Sequence, residues 1–197
     1  MRQLNHVVPV TGKRLQIVRP DRQIEVVFYP AKTEHAPLIL GFHGGGFLFG
    51  GCALNDAMWS ETGAQLGAAV ASVGYRKSPE YQYKAAIEDA YDAAVYFYEH
   101  AEEYGIDRQD ISVMGCSAGA NLAASVCLYA KQQGKHLFQR QILMYPFLDS
   151  ATDPDSKGNG SLEGPVMYVF NEMHCKPEEA ALPIVSPVFA QKKELEG

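Results

Sequence analysis

The sequence is short of positive charge: 17 Lys and Arg stand against 23 Asp and Glu, a formal net charge of −6, and no basic block interrupts the balance. Nucleic-acid binding draws on counterion release by clustered cations, so neither a nucleic acid nor an anionic membrane surface is expected as a partner. Long apolar runs are missing too, and none approaches the ~20 residues that cross a bilayer. The opening stretch sets Arg2, His6, Lys13 and Arg14 around a single Val7-Val8-Pro9-Val10 patch, too little for the apolar region of a secretory signal. Cys52, Cys116, Cys127 and Cys175 show neither C-x-x-C spacing nor the density of a disulfide framework. They are expected as free, mostly buried thiols, with the cytoplasm as the expected compartment. The six histidines form no H-E-x-x-H and no cluster beyond His174-Cys175, which gives no reason to expect a metal. G-x-G-x-x-G and the Walker lysine are both absent, so no nucleotide cofactor is implied.

What remains is an ordinary globular composition, 47% hydrophobic and 20% charged over 197 residues, enough for one domain with a substantial core. Leu15 to Arg19 and Ile24 to Tyr29 read as an antiparallel pair around Pro20-Asp21-Arg22. Leu38 to Phe42, Ala68 to Val73, Ile111 to Met114 and Gln141 to Tyr145 are continuous apolar runs of the kind found in strands covered on both faces. Between them, Asn55 to Leu66, Tyr83 to Tyr104 and Ala118 to Ala130 read as helices, the second with Ile87, Ala90, Tyr91, Ala94 and Tyr98 on one face and Gly105 as its cap. This alternation predicts an α/β fold, a mostly parallel sheet with helices on both faces. Ser150 to Gly160 reads as a polar flexible loop, followed by a short helix near Pro165 to Met173.

Two motifs carry chemistry. Gly115-Cys116-Ser117-Ala118-Gly119 matches G-x-S-x-G, with a buried strand entering and an alanine-rich helix leaving, the strand–turn–helix setting of a nucleophile elbow. Such a turn leaves no room for side chains at 115 and 119, and it places Ser117 at the positive end of the following helix. His43-Gly44-Gly45-Gly46-Phe47 also follows a buried strand. Consecutive glycines let the backbone approach a substrate and turn N–H groups to one point, as an oxyanion hole requires, and the Ala118 N–H after the nucleophile supplies a further donor. The plainer readings are a chance pattern for the first motif, and a flexible turn or phosphate cradle for the second.

Together with Tyr75-Arg76-Lys77-Ser78-Pro79-Glu80, Gly115 to Asn121, Tyr145-Pro146-Phe147-Leu148-Asp149 and Ser186-Pro187-Val188, the glycine motif resembles the hormone-sensitive-lipase-like branch of the α/β hydrolases, which includes bacterial acetyl esterases and other carboxylesterases. The resemblance spans about Pro37 to Ala190. It implies the α/β-hydrolase fold, Ser117 as nucleophile, N–H groups of Gly45, Gly46 and Ala118 as oxyanion donors, His43 as organiser of the glycine loop, small esters as substrates, and a cap-like insertion over 150–185 within a single domain, 1–197. Cys116 departs from the family's commoner aspartate and Ala120 from its commoner glycine, both small enough for the turn. Arg76, Glu80 and Asp89 are expected as a structural ion-pair network under the glycine loop.

In this family an acid follows the strand after the cap, and a histidine follows one strand further on. Strand–helix units need roughly 30 residues each, yet only Val188 to Gly197 follows the cap-like segment. The expectation is therefore that these residues are the N-terminal part of an esterase, incomplete at the C-terminal end, whose acid and base have no counterparts here. Asp149 and His174 keep the order Ser, Asp, His and form a makeshift alternative, although a cap helix is a poor place to hold a base. Three readings stay open: a serine carboxylesterase of short-chain esters, impaired in this chain; a non-catalytic small-ligand-binding relative; and an inactive fragment.

Overall fold

A computed structural model describes residues 8–158 and 162–195; His6, Asn159 and Gly160, singled out above, lie outside the described residues. Six strands form one sheet in the order β1-β2-β4-β3-β5-β6: β1 Lys13–Val18, β2 Gln23–Tyr29, β3 Ala36–Phe42, β4 Ala69–Gly74, β5 Ile106–Cys116 and β6 Arg140–Met144. β1 pairs antiparallel with β2, and β2 with β4. The β4–β3, β3–β5 and β5–β6 pairings are parallel. The α/β architecture with a mostly parallel sheet is thus present, and its antiparallel end is the hairpin expected at the N-terminal side.

Strand periodicity sorts the apolar side chains into two layers. Ile24, Val26 and Phe28 of β2, Leu38, Leu40 and Phe42 of β3, and Ala69, Ala71 and Val73 of β4 face one core with α2 (Tyr83–Glu99) and α3 (Ala118–Gln132). Val27, Tyr29, Ile39 and Val70 face the other, closed by Trp59 of α1 (Asp56–Leu66). Trp59 is fully buried, and its indole packs where a Cβ at Gly41 would stand, so glycine in the middle of β3 is what admits the ring. Helices therefore cover both faces, as the uninterrupted apolar strands require.

Two boundaries differ from the sequence reading by more than two residues. α2 ends at Glu99, with the His100 N–H donating to the Tyr96 carbonyl, and a separate turn closed by Ile106 N–H to Ala101 O follows. Gly105, at φ 63°, belongs to that turn and is not the helix cap. The apolar period overran the helix because Tyr104 still packs on Phe28 and Phe97 of the same core. β5 begins at Ile106, not Ile111: Ile106 pairs with Ala36 and Ile111 with Leu38, leaving the polar residues 107–110 as a bulge.

After β6 the chain makes an excursion. A 3₁₀ turn at Pro154–Lys157, α4 (Gly164–His174) and a second 3₁₀ turn at Pro177–Glu179 lead back to Ser186. Its two feet are stitched together: Ser186 Oγ accepts from Ser150 N–H at 2.8 Å and donates to the Ala180 carbonyl at 2.6 Å, and Val188 N–H donates to Leu148 O. A four-residue helix, α5 (Lys192–Leu195), closes the described chain. Among the described residues β6 pairs only with β5, and Ile142 on it is 37% exposed.

Candidate active site

Because β3 and β5 are neighbours in the sheet, the loops leaving their C-terminal ends emerge side by side, the usual place for a site in an open parallel sheet. The loop after β5 is the G-x-S-x-G turn. Ser117 sits between β5 and α3 at φ 53°, ψ −117°, a strained conformation for a residue with a side chain. Its neighbours explain why it persists. A Cβ on Gly115 would collide with the Gly119 carbonyl, and one on Gly119 would collide with the carbonyls of Phe42 and His43. Ser117 N–H donates to Met144 O at 3.0 Å, and Ser117 O accepts from the N–H groups of Ala120 and Asn121. The turn is thus wedged between β3, β6 and α3. Cys116 packs beneath it, 2% exposed with Sγ 3.8 Å from Met144 Sδ, so the thiol fits where the family has an aspartate.

The loop after β3 lies directly against this elbow: a Cβ on Gly44 would stand 3.0 Å from the Cys116 carbonyl and 3.5 Å from Ser117 Cβ. Gly45 and Gly46 have φ of 127° and 59°, and Phe47 follows at 65°. Leu48 and Phe49 N–H both donate to Gly45 O, which closes the turn. Among the described residues the N–H groups of Gly45, Gly46 and Ala118 donate to no protein acceptor, the condition an oxyanion hole needs. Ala118 N–H is also the first donor of α3, at the positive end of its dipole.

His43 is fully buried beneath this loop. Its Nδ1–H donates to the Gly44 carbonyl at 2.7 Å, and its ring stacks on Tyr75 at 4.3 Å. Tyr75 in turn donates its hydroxyl to the His43 carbonyl at 2.7 Å. Burial lowers the His43 pKa to about 4, against a smaller raising effect of the Gly44 bond, so the ring is neutral near pH 7. Tyr75 is the partner that sequence reading missed; its place just after β4, the strand beside β3, is the signal that points to it.

The makeshift acid and base are not brought together. Asp149 accepts from the N–H groups of Ala151 and Thr152, both at 2.9 Å, and faces Lys157. Burial raises its pKa, but these hydrogen bonds and the Lys157 charge outweigh it and hold the carboxyl below the usual range. His174 ends α4 with its imidazole stacked on Phe47, ring centroids 3.5 Å apart, and its edge toward Tyr83. Its Nε2 is buried without a hydrogen-bond partner, and burial lowers its pKa to about 3. Among the described residues no hydrogen bond or ion pair joins His174 to Asp149 or to Ser117, and its ring is packed flat in an aromatic cluster.

The expected ion-pair network is present in altered form. Asp89 of α2, 1% exposed, accepts from Arg76 Nε at 3.0 Å and backbone N–H at 2.9 Å, and from Arg22 Nε at 2.8 Å. Arg22 takes the place expected for Glu80, which is exposed. The network ties the β1–β2 turn to α2 and to the segment after Tyr75. Asn121, one turn beyond Ser117, is a further unforeseen positioning group: its Nδ2 donates to Phe147 O and Val185 O, joining α3 to both ends of the excursion.

A nucleophile-type elbow after β5, a glycine loop with unpaired N–H groups after the adjacent β3, and this strand order define an α/β-hydrolase. A family model described as the alpha/beta hydrolase fold matches residues 39–197, and the chain belongs to that family. Its resemblance to the hormone-sensitive-lipase-like branch stands with it. The chain is 30% identical over 187 residues to a putative alpha/beta hydrolase of Acanthamoeba polyphaga mimivirus, covering 91% of this chain and 54% of the relative. It is 40% identical over 117 residues to the esterase LipI of Mycobacterium tuberculosis, covering 59% of this chain and 36% of that one. The solved structure of an esterase from Pyrobaculum calidifontis superposes with a TM-score of 0.84 at 32% identity, over 93% of this chain and 63% of that one. The chain thus spans about half or less of the curated relatives' length.

Proposed function

We propose that the chain carries the nucleophile and oxyanion site of a serine carboxylesterase acting on small esters, acetyl-type acyl groups above all. The observation that carries the reading is the strained Ser117 elbow wedged against a glycine loop whose N–H groups are unpaired. Ser117 Oγ attacks the ester carbonyl carbon while Gly45, Gly46 and Ala118 N–H groups receive the oxyanion. Collapse breaks the bond to the leaving alcohol, which departs with a proton, and leaves the acyl group on Ser117. Water then adds to the acyl-enzyme and releases the carboxylic acid. Among the described residues no histidine hydrogen-bonds to Ser117, so in this reading deprotonation by these residues alone falls to solvent base and turnover by them is slow. In this reading residues 1–197 belong to one α/β-hydrolase domain with a cap-like insertion at 150–185, working in the cytoplasm without metal or cofactor.

The second reading is a site that binds small esters or acids without cleaving them, in keeping with a Ser117 that no histidine hydrogen-bonds among the described residues. Release of 4-nitrophenolate from 4-nitrophenyl acetate separates the two. The esterase reading expects a Ser117-dependent burst that Ser117→Ala lowers about tenfold or more. Equal release by both chains removes Ser117 from the chemistry. Saturable binding of the ester with no burst selects the binding reading.

A further inference from the structure

Phe170 and His174 lie four residues apart on one face of α4, and they meet two consecutive residues of the glycine loop. The Phe170 ring tip stands on Gly46 where any Cβ would collide with it. The His174 ring lies on Phe47, 17° from parallel. Phe47 needs such support. It holds a left-handed backbone without being glycine, at a cost of about 1–2 kcal/mol, and it is 4% exposed. Phe147 meets its edge, and its carbonyl accepts from Ser78 N–H at 3.0 Å. His174 offers Phe47 a flat surface, with no hydrogen bond between them among the described residues, and its Nε2 is buried without a partner. A flat ring in that place, rather than a hydrogen bond, is what the loop receives.

We infer that α4 clamps the glycine loop and that His174 is its positioning residue, holding Phe47 in the left-handed turn that presents the Gly45 and Gly46 N–H groups. The clamp itself stands on geometry; its consequence for ester chemistry rests on the esterase reading. The excursion is then part of the oxyanion apparatus and not only a cover over it. Flatness and size should suffice at position 174, so phenylalanine and tyrosine replace histidine there, whereas alanine and leucine do not.

Hydrogen exchange of single amides by NMR tests this without requiring turnover. Leu48 and Phe49 N–H, bonded to Gly45 O, and Ser78 N–H, bonded to Phe47 O, report the loop. In the full chain His174→Ala should speed their exchange about tenfold or more while β3 and β4 amides change less than about twofold. His174→Phe should stay within about twofold of the parent at all of them. His174→Leu keeps the bulk without the flat ring, and decides the matter if the alanine variant does not fold: it should loosen the same three amides. Unchanged loop exchange, an equal rise throughout the sheet, or a phenylalanine variant as loose as alanine each overturns the inference. In the nitrophenyl acetate assay the loosened variants should lose burst rate with little change in KM, and the phenylalanine variant should regain it. A burst absent from the parent chain as well counts against the esterase reading and leaves the exchange result to decide the clamp.

Discussion

The elbow and the excursion serve one site by opposite means. The elbow is held by what cannot fit: Gly115 and Gly119 are pressed so closely against carbonyl groups that only a bare Cα is accommodated, and Ser117 stays strained as a result. The excursion is held by what does fit, aromatic faces on the glycine loop and hydroxyl and amide groups bridging its feet. Exclusion by backbone tolerates no substitution; contact by side chains tolerates any residue of similar shape. Their sensitivities to mutation should therefore differ in kind.

The sharpest break in this contrast is Gly119→Ala. One methyl group, driven into the carbonyls of Phe42 and His43, should cost about 3 kcal/mol or abolish cooperative unfolding, read from urea denaturation. A loss under about 1 kcal/mol would show that the wedge yields. A smaller effect of opposite sign is expected at Ser117. Ser117→Gly relieves the positive φ and should stabilise the fold by about 1 kcal/mol while removing the proposed nucleophile. No gain would mean that the elbow stores no strain at that residue.

The mildest change probes the excursion through pH. His174 titrates near 3 in the fold against its ordinary value of about 6.5, so between those values the unfolded chain binds more protons than the folded one. Stability due to neutral His174 is full above pH ~6.5 and is lost as the pH falls toward 3. His43, lowered to about 4, acts in the same direction. His174→Phe should leave stability near pH 7.5 little changed and flatten, without removing, its decline between pH 6.5 and 4.5. An identical slope in both chains would show that His174 does not stay neutral in the fold.

The same contrast explains how much could be read without coordinates. β3, β4, the core of β5 and α3 announced themselves because strands covered on both faces are apolar throughout and the elbow has few sequence solutions. Ser117, Gly45, Gly46 and Ala118 stand out together in the sequence for that reason. The bulge at 107–110 was missed because its residues are polar although the backbone still joins the sheet. α2 was read too long because Tyr104 shares the core that the helix faces. The meeting of Phe170 with Gly46 and of His174 with Phe47 joins residues more than a hundred positions apart, and no local period encodes it. His174 stands as a makeshift base in the sequence for the same reason: its residue type is visible there and its aromatic surroundings are not.

Ser186 binds both feet of the excursion through one hydroxyl, donor to one segment and acceptor from another. A path that starts and finishes at a single point is invisible to the sheet it leaves: its length can grow, shrink or be exchanged without moving a strand. The face that carries the elbow and the part that frames it can then diverge at separate rates. Ser186 is the hinge-pin that lets the excursion be refitted while the framework beneath it stays put.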